Sequence, residues 1–143
     1  MHQTGLLQWQ GYRTLKALHH PILANYHTTR IEWKFLGIVY GEGNLQVTEI
    51  AERLGVRIPL VTRTIKALLQ KKNIIIEQHP QDRRVKCIDI TAKGIKRLAQ
   101  IEKDVQKDLS ILLQGIPSKK IEIYKEVLTA IVHNGKVLRK KLD

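Results

Sequence analysis

A chain of 143 residues with 25 Lys and Arg against 13 Asp and Glu carries a formal charge of +12 and a pI near 10.0, which points to a polyanionic partner. The length suits one domain with a core of its own. A disulfide scaffold is excluded because Cys87 is the only cysteine, and no stretch approaches the roughly 18 apolar residues that a bilayer span needs. The start has no charged lead followed by an apolar run. A soluble, cytoplasmic protein with no membrane association is the expectation.

Gly5 to Asn25 carries Leu7, Leu15, Leu18, Ile22 and Leu23 at near-helical spacing, which predicts a helix. Pro21 lacks a backbone donor and crowds the preceding turn, so a kink or break is expected near His19 and His20. The apolar side of this segment has little nearby sequence to pack on, and a partner subunit is expected to complete it. Thr29 followed by Glu32 is a capping-box pattern. Trp33, Leu36, Val39 and Tyr40 then mark a short buried helix, which Gly41 to Asn44 closes.

Gln46, a poor cap, precedes an amphipathic segment from Val47 to Leu54 with Ile50, Ala51 and Leu54 facing inward. Gly55 permits a sharp turn into a second helical pattern, Ile58 to Lys72. There Val61, Ile65, Leu68 and Leu69 form a core stripe, and Pro59, Thr62, Arg63 and Lys66 take the other side. Pro59 sits in the first turn, where its missing N–H matters least. Asn73 is expected in the left-handed conformation that ends many helices. Ile74 to Gln78 and Val85 to Ile90 read as two strands around a polar turn at His79 to Arg84. Thr91 caps a long helix whose inward face is Ile95, Leu98, Val105, Leu109 and Leu112. After a break at Gly115, Ile116 and Pro117, Ser118 caps a last helix carrying Tyr124, Val127, Leu128, Ile131 and Leu138. Two terminal apolar stripes exceed what so small a core needs, which favours a homodimer.

Two helices joined by a tight turn and followed by a basic hairpin make a winged helix-turn-helix. The expected fold class is therefore mainly α with a small β-hairpin wing (α+β), flanked by N- and C-terminal dimerisation helices. Residues 1–28 form the N-terminal dimerisation region in this reading, 29–95 the DNA-binding domain, and 96–143 the C-terminal dimerisation helices. From Arg53 to Arg97 there are twelve basic residues against Glu77, Asp82 and Asp89, so +9 of the +12 falls on the motif.

Three stretches carry a family resemblance: Val47-Thr-Glu-Ile-Ala-Glu-Arg-Leu-Gly-Val56, Val61-Thr-Arg-Thr-Ile-Lys-Ala-Leu68, and Asp82-Arg-Arg-Val-Lys-Cys-Ile-Asp-Ile-Thr-Ala-Lys-Gly94. The chain resembles the MarR family of winged-helix transcription regulators. Its third stretch is the most specific, an Asp-x-Arg turn, a strand and a Thr-x-x-Gly helix start. The sequence departs from that pattern at Asn73, where glycine is usual, at Arg57, where a small polar cap is usual, and at Pro21. The resemblance implies a homodimer held by its first and last helices, with one winged domain per subunit. It also implies repression by occupying an operator, relieved when a small phenolic or lipophilic effector, an oxidant or a metal binds.

Candidate contacts follow from the motif. Arg63 and Lys66 are placed to reach guanine edges or phosphates in the major groove, a solvated helix face being the alternative. Thr62 suits a base or phosphate, and Pro59 or Leu60 a thymine methyl, unless Leu60 packs on the preceding helix. Arg57 reads as a phosphate clamp. Arg84, at the wing tip, suits the minor groove, with Asp82 orienting it through a charge-assisted hydrogen bond. Arg83 and Lys86 serve the DNA backbone. A cleft between Tyr12, His19, Tyr26 and Trp33 and the long helix after the wing is the candidate effector pocket, with plain aromatic core as the alternative. Cys87 reads as buried filler rather than a redox sensor. The histidines lack metal-ligand spacing, and no phosphate loop, nucleophile motif or carboxylate cluster is present. No catalytic residue, metal or cofactor is expected, and the chain reads as a non-enzyme. The function expected is a sequence-specific, homodimeric repressor of MarR type on double-stranded DNA with a palindromic operator, released by a small-molecule effector or other signal. The alternative is a winged-helix module that binds nucleic acid nonspecifically, or binds protein, in a transcription or chromosomal complex.

Overall fold

The computed structural model describes residues 2–142, with side chains described from 3 to 138. Its elements in chain order are α1 (His2–Asn25), α2 (Arg30–Glu42), α3 (Val47–Leu54), α4 (Ile58–Gln70), β1 (Ile74–Gln78), β2 (Lys86–Ile90), α5 (Ala92–Leu112) and α6 (Ser118–Leu142). Residues up to 108 form one compact unit, and those from 109 onward form another.

α1 runs unbroken through Pro21, so of the kink or break expected near His19 and His20 the break is absent. Pro21 lies on the exposed side of the helix, as does Ala17 one turn earlier, and water can take up the backbone acceptor that the proline leaves unbonded. Ile22 and Leu23, next to it, are buried in a cluster with Ile101 and Val105 of α5. The apolar residues nearer the start of the helix, Leu6, Leu7, Trp9 and Tyr12, are exposed.

The capping box at α2 is formed. Thr29 Oγ1 accepts the Glu32 N–H at 3.2 Å, and Glu32 Oε2 accepts the Thr29 N–H at 2.8 Å. Phe35, Leu36 and Val39 are the buried residues of α2 beside Glu32, whereas Tyr40, expected in the core, is exposed. One residue beyond Val39 the helix has turned about 100° away from the stripe. Gly43 ends α2 at φ 63.

α3 and α4 end alike. Gly55 takes φ 65 and ψ 36, and the Val56 N–H returns to Ala51 O at 3.1 Å. At the end of α4 the Lys72 N–H bonds Leu69 O and the Asn73 N–H bonds Leu68 O, both at 2.9 Å. Both are Schellman closures. The left-handed residue of the second is Lys72, at φ 58, and not Asn73 as expected. Asn73 follows one place later and is buried, with its own carbonyl accepting the Thr91 N–H at 3.0 Å.

β1 and β2 pair antiparallel with Ile74 opposite Ile90, Ile76 opposite Ile88 and Gln78 opposite Lys86. β2 begins at Lys86, one residue later than the expected Val85. Leu45 adds a bridge that its sequence does not announce: the Ile88 N–H donates to Leu45 O at 2.9 Å, and the return bond is 3.3 Å. The main core lies beneath this hairpin, where Leu36, Ile50, Val61, Leu68, Ile74, Ile88 and Leu98 meet.

Thr91 caps α5, with Oγ1 accepting the Gly94 N–H at 3.0 Å and donating to Lys72 O at 2.8 Å. Along α5 the buried side chains are Leu98, Ile101 and Val105. Ile95 and Leu112, expected inward, are exposed, and Leu109 is half-buried. Ile95 sits at the lip of a hollow of about 260 Å³ where Gly37 and Ala99 present too little bulk to cover it. Ser118 is the first helical residue of α6 rather than its cap, and Pro117 O accepts the Lys120 N–H at 2.9 Å. Within α6, Tyr124, Val127, Leu128, Ile131 and Leu138 are all exposed.

Gly94 packs α5 directly onto the end of α4. A Cβ there would fall inside the van der Waals envelope of Asn73 O and 2.7 Å from Ile90 Cγ1. Backbone cannot give way as a flexible side chain would. Gly94→Ala is therefore expected to lower stability by about 3 kcal/mol, read as a lower urea midpoint. An unchanged midpoint would show that this contact is not required.

Candidate nucleic-acid interface

The surface of α4 is set by what the helix buries. Val61, Thr64, Ile65 and Leu68 face the core, and Thr64 Oγ1 donates to Leu60 O at 2.8 Å. At 100° per residue this turns Pro59, Arg63 and Lys66 outward with Thr62 on their flank, and all four are exposed. The helix-turn-helix joint at Gly55 fixes where that side looks. Arg57 is the N-cap, in extended conformation, and its side chain makes no capping bond, so the guanidinium is not committed to the helix end. Thr62 Oγ1 donates to Ile58 O at 3.1 Å, which commits its proton and leaves its lone pairs to accept. Leu60 is exposed, and neither it nor Ile58 is among the residues packed on the core cluster.

The wing is held by main-chain bonds. The His79 N–H donates to Val85 O at 2.8 Å, the Asp82 N–H to His79 O at 3.2 Å and the Val85 N–H to Asp82 O at 3.0 Å. Asp82 Oδ1 accepts the backbone N–H of Arg84 at 3.0 Å, so the contact expected to orient the Arg84 guanidinium instead orders the turn that carries it. Arg83, Arg84 and Lys86 are exposed around this loop.

Not all of the charge in the motif is available to a partner. Lys71 Nζ donates to the Glu32 carboxylate at 2.8 and 2.9 Å and to His27 O at 2.7 Å. Arg53 pairs with Glu42 at 2.6 Å. The Arg97 guanidinium lies 5.4 Å from the centre of the Tyr26 ring. These uses were not legible from charge counting, because each partner is distant in sequence.

Of the residues expected around an effector pocket, the structure gathers three. His19 meets Trp33 edge to face, with ring centres 4.9 Å apart. The Trp33 indole N–H donates to Glu102 Oε1 at 2.7 Å, and the Tyr26 hydroxyl donates to Asp104 Oδ2 at 2.7 Å. The three tie α1 and α2 to α5. Tyr12 lies apart from them, on an open groove with Trp9, Arg13, Lys16, His20 and Arg30. Burial, and then the Arg30 charge, hold His19 below the usual imidazole range. The hydrogen bond to Asp104 raises the Tyr26 phenol. Cys87 is buried, and burial followed by the Glu49 charge raises its thiol, so the thiolate that oxidation requires is disfavoured. Among the described residues no three His, Cys, Asp or Glu side chains gather into a group that could hold a metal ion.

The sequence model of the MarR family matches residues 28–86. The HTH-type transcriptional regulator MhqR of Bacillus subtilis is 24% identical over 132 residues, covering 92% of this chain and 91% of that protein. Among solved structures, CouR of Rhodococcus jostii bound to p-coumaroyl-CoA superposes with a TM-score of 0.81 at 16% identity, covering 90% of each chain. A MepR variant of Staphylococcus aureus bound to an oligodeoxyribonucleotide superposes with a TM-score of 0.64 at 23% identity, covering 92% of this chain and 96% of that one. At such identities these structures share the fold.

The wing yields a direct test. Arg84→Ala is expected to weaken binding to duplexes generally and to reduce the slope of log K against log salt by about 1 per subunit, since one cation fewer then displaces counterions from the DNA. An unchanged slope would remove Arg84 from the interface.

Proposed function

We propose that the chain is a winged helix-turn-helix transcription regulator of the MarR family, whose sequence model matches residues 28–86, and that it is a homodimeric repressor that occupies a palindromic operator in double-stranded DNA and leaves it when a small molecule or other signal binds. The observation that carries this reading is the division of α4. One side is locked into the core, and the other offers Pro59, Thr62, Arg63 and Lys66 to the outside, beside a basic wing ordered by its own main chain.

In this reading Arg63 and Lys66 donate to guanine O6 and N7 or to phosphates, while Arg57 clamps the backbone at the start of the helix. Thr62 accepts from a base edge or bridges through water. Arg84 enters the minor groove, Arg83 and Lys86 contact phosphates, and Asp82 keeps the turn in shape. Residues 29–95 read DNA, and residues 1–28 and 96–143 dimerise through the apolar side chains that α1 and α6 each leave exposed. That CouR binds p-coumaroyl-CoA and the MepR variant an oligodeoxyribonucleotide supports assigning both kinds of partner to this fold. The effector would act at His19, Tyr26 and Trp33, with Tyr12 on the separate groove along α1. His19, Tyr26 and Trp33 connect α1 and α2 to α5, so a ligand displacing them disturbs the frame on which the DNA-reading elements rest. No step in this function is catalytic. Among the described residues no helix is long and apolar enough to cross a membrane, and a cytoplasmic location belongs to the proposal.

Light scattering on the eluting protein should give the mass of a dimer. Competition between a palindromic operator and random duplex at physiological salt should show a preference of at least about a thousandfold. A monomer with no preference would favour the nonspecific winged-helix module instead.

A further inference from the structure

Three consecutive apolar residues, Ile58, Pro59 and Leu60, open α4. Ile58 is 48% exposed and Leu60 37%. Their exposure is a consequence of helix geometry: the buried stripe begins only at Val61, and Ile58 and Leu60, about 200° apart, flank Pro59 on either side. Around this apolar tip stand Arg57, Arg63 and Lys66, all exposed. The side chains of the tip also lack hydrogen-bonding capacity. Ile58, Pro59 and Leu60 have no polar side-chain atoms, Pro59 has no N–H, and the Leu60 N–H is already bonded to Arg57 O at 3.1 Å. The nearest hydroxyl, on Thr62, donates its proton to Ile58 O.

We propose that Ile58 and Leu60 are specificity-determining residues that read the 5-methyl groups of thymine, so that each half-site carries thymine beneath the start of α4. The inference rests on the operator-binding reading and specifies its readout. In the major groove the thymine methyl is the one apolar group on a base edge, and the other edges present hydrogen-bonding atoms that the side chains of Ile58 and Leu60 cannot answer. Phosphates drawn to Arg57, Arg63 and Lys66 would bring the bases up to an apolar surface that excludes water from a methyl and leaves polar edges unsatisfied. Charge places the helix, and contact with methyl groups selects the sequence at its tip.

The test uses the full chain and a duplex selected by it from a randomised pool. Each thymine of the selected half-site is replaced in turn by deoxyuridine, which removes the methyl and keeps every hydrogen-bonding atom. At one or more positions the wild-type chain should bind about fourfold more weakly per methyl removed, the value of one buried methyl group. A variant carrying Ile58→Ala and Leu60→Ala, both surface positions, should lose that penalty while still binding DNA. Wild-type indifference to every replacement, with preference for the selected duplex retained, would overturn this inference and leave the operator reading intact. Persistence of the penalty in the double variant would overturn the assignment to these residues. A pool from which no sequence is enriched would overturn the operator reading and this inference with it.

Discussion

The architecture depends on one carboxylate taken almost wholly out of water. Glu32 is 3% exposed, and its oxygens accept from the Thr29 N–H and from Lys71 Nζ. Such burial is tolerable only when the lone pairs are filled and a countercharge is close. Meeting that requirement joins three places in the chain: the first turn of α2, the loop after α1 through His27 O, and the end of α4 through Lys71. The same end of α4 is fixed by Asn73 O and Lys72 O, which accept from Thr91 at the start of α5. α4 is thus anchored at its C-terminal end by charge and main-chain bonds, and along its length by Val61, Ile65 and Leu68. What remains is its N-terminal half, with the outward side free.

That division of labour explains why net charge alone is a poor guide to the interface. Lys71 and Arg53 count toward the basic excess of the motif, yet each is engaged by an acid of α2. The positive charges exposed on the outer side of α4 and around the wing are Arg57, Arg63, Lys66, Arg83, Arg84 and Lys86. A wing whose loop is closed by its own backbone loses little conformational freedom on meeting DNA, which leaves more of the phosphate attraction to appear as affinity. In the proposed operator complex the apolar tip of α4 supplies discrimination that phosphate contacts do not.

Much of this was legible in the sequence because it is local. The Thr29–Glu32 box, the turn at Gly55, the hairpin and the Thr91 cap each depend on residues a few places apart, and each forms as read. So does the amphipathic division of α4. Features that depend on distant partners were not legible. Nothing near Lys71 announces Glu32, 39 residues away, and nothing near Leu45 announces its bridge to Ile88. Tyr40 and Ile95 have the hydrophobicity of core residues, and their exposure follows from a helix rotation in one case and from small neighbours in the other. The left-handed residue after α4 is Lys72 because the Schellman closure fixes the place and leaves its identity open. Pro21 does not break α1, on an exposed side where water can replace the lost bond. Among the proposed contacts, Ile58 was missed because an apolar residue at a helix start reads as core until the stripe it fails to join is located.

The central claim is that Lys71 belongs to the frame and Arg63 to the interface. Urea unfolding and the salt dependence of duplex binding, measured on Lys71→Met and Arg63→Ala, separate the two roles. Lys71→Met should lose about 2 kcal/mol of stability, since it strands a buried carboxylate whose partner is itself partly exposed, while keeping the wild-type salt slope. Arg63→Ala should keep its stability and lose about 1 from the slope per subunit. A Lys71→Met protein as stable as wild type but with a reduced slope would contradict the account.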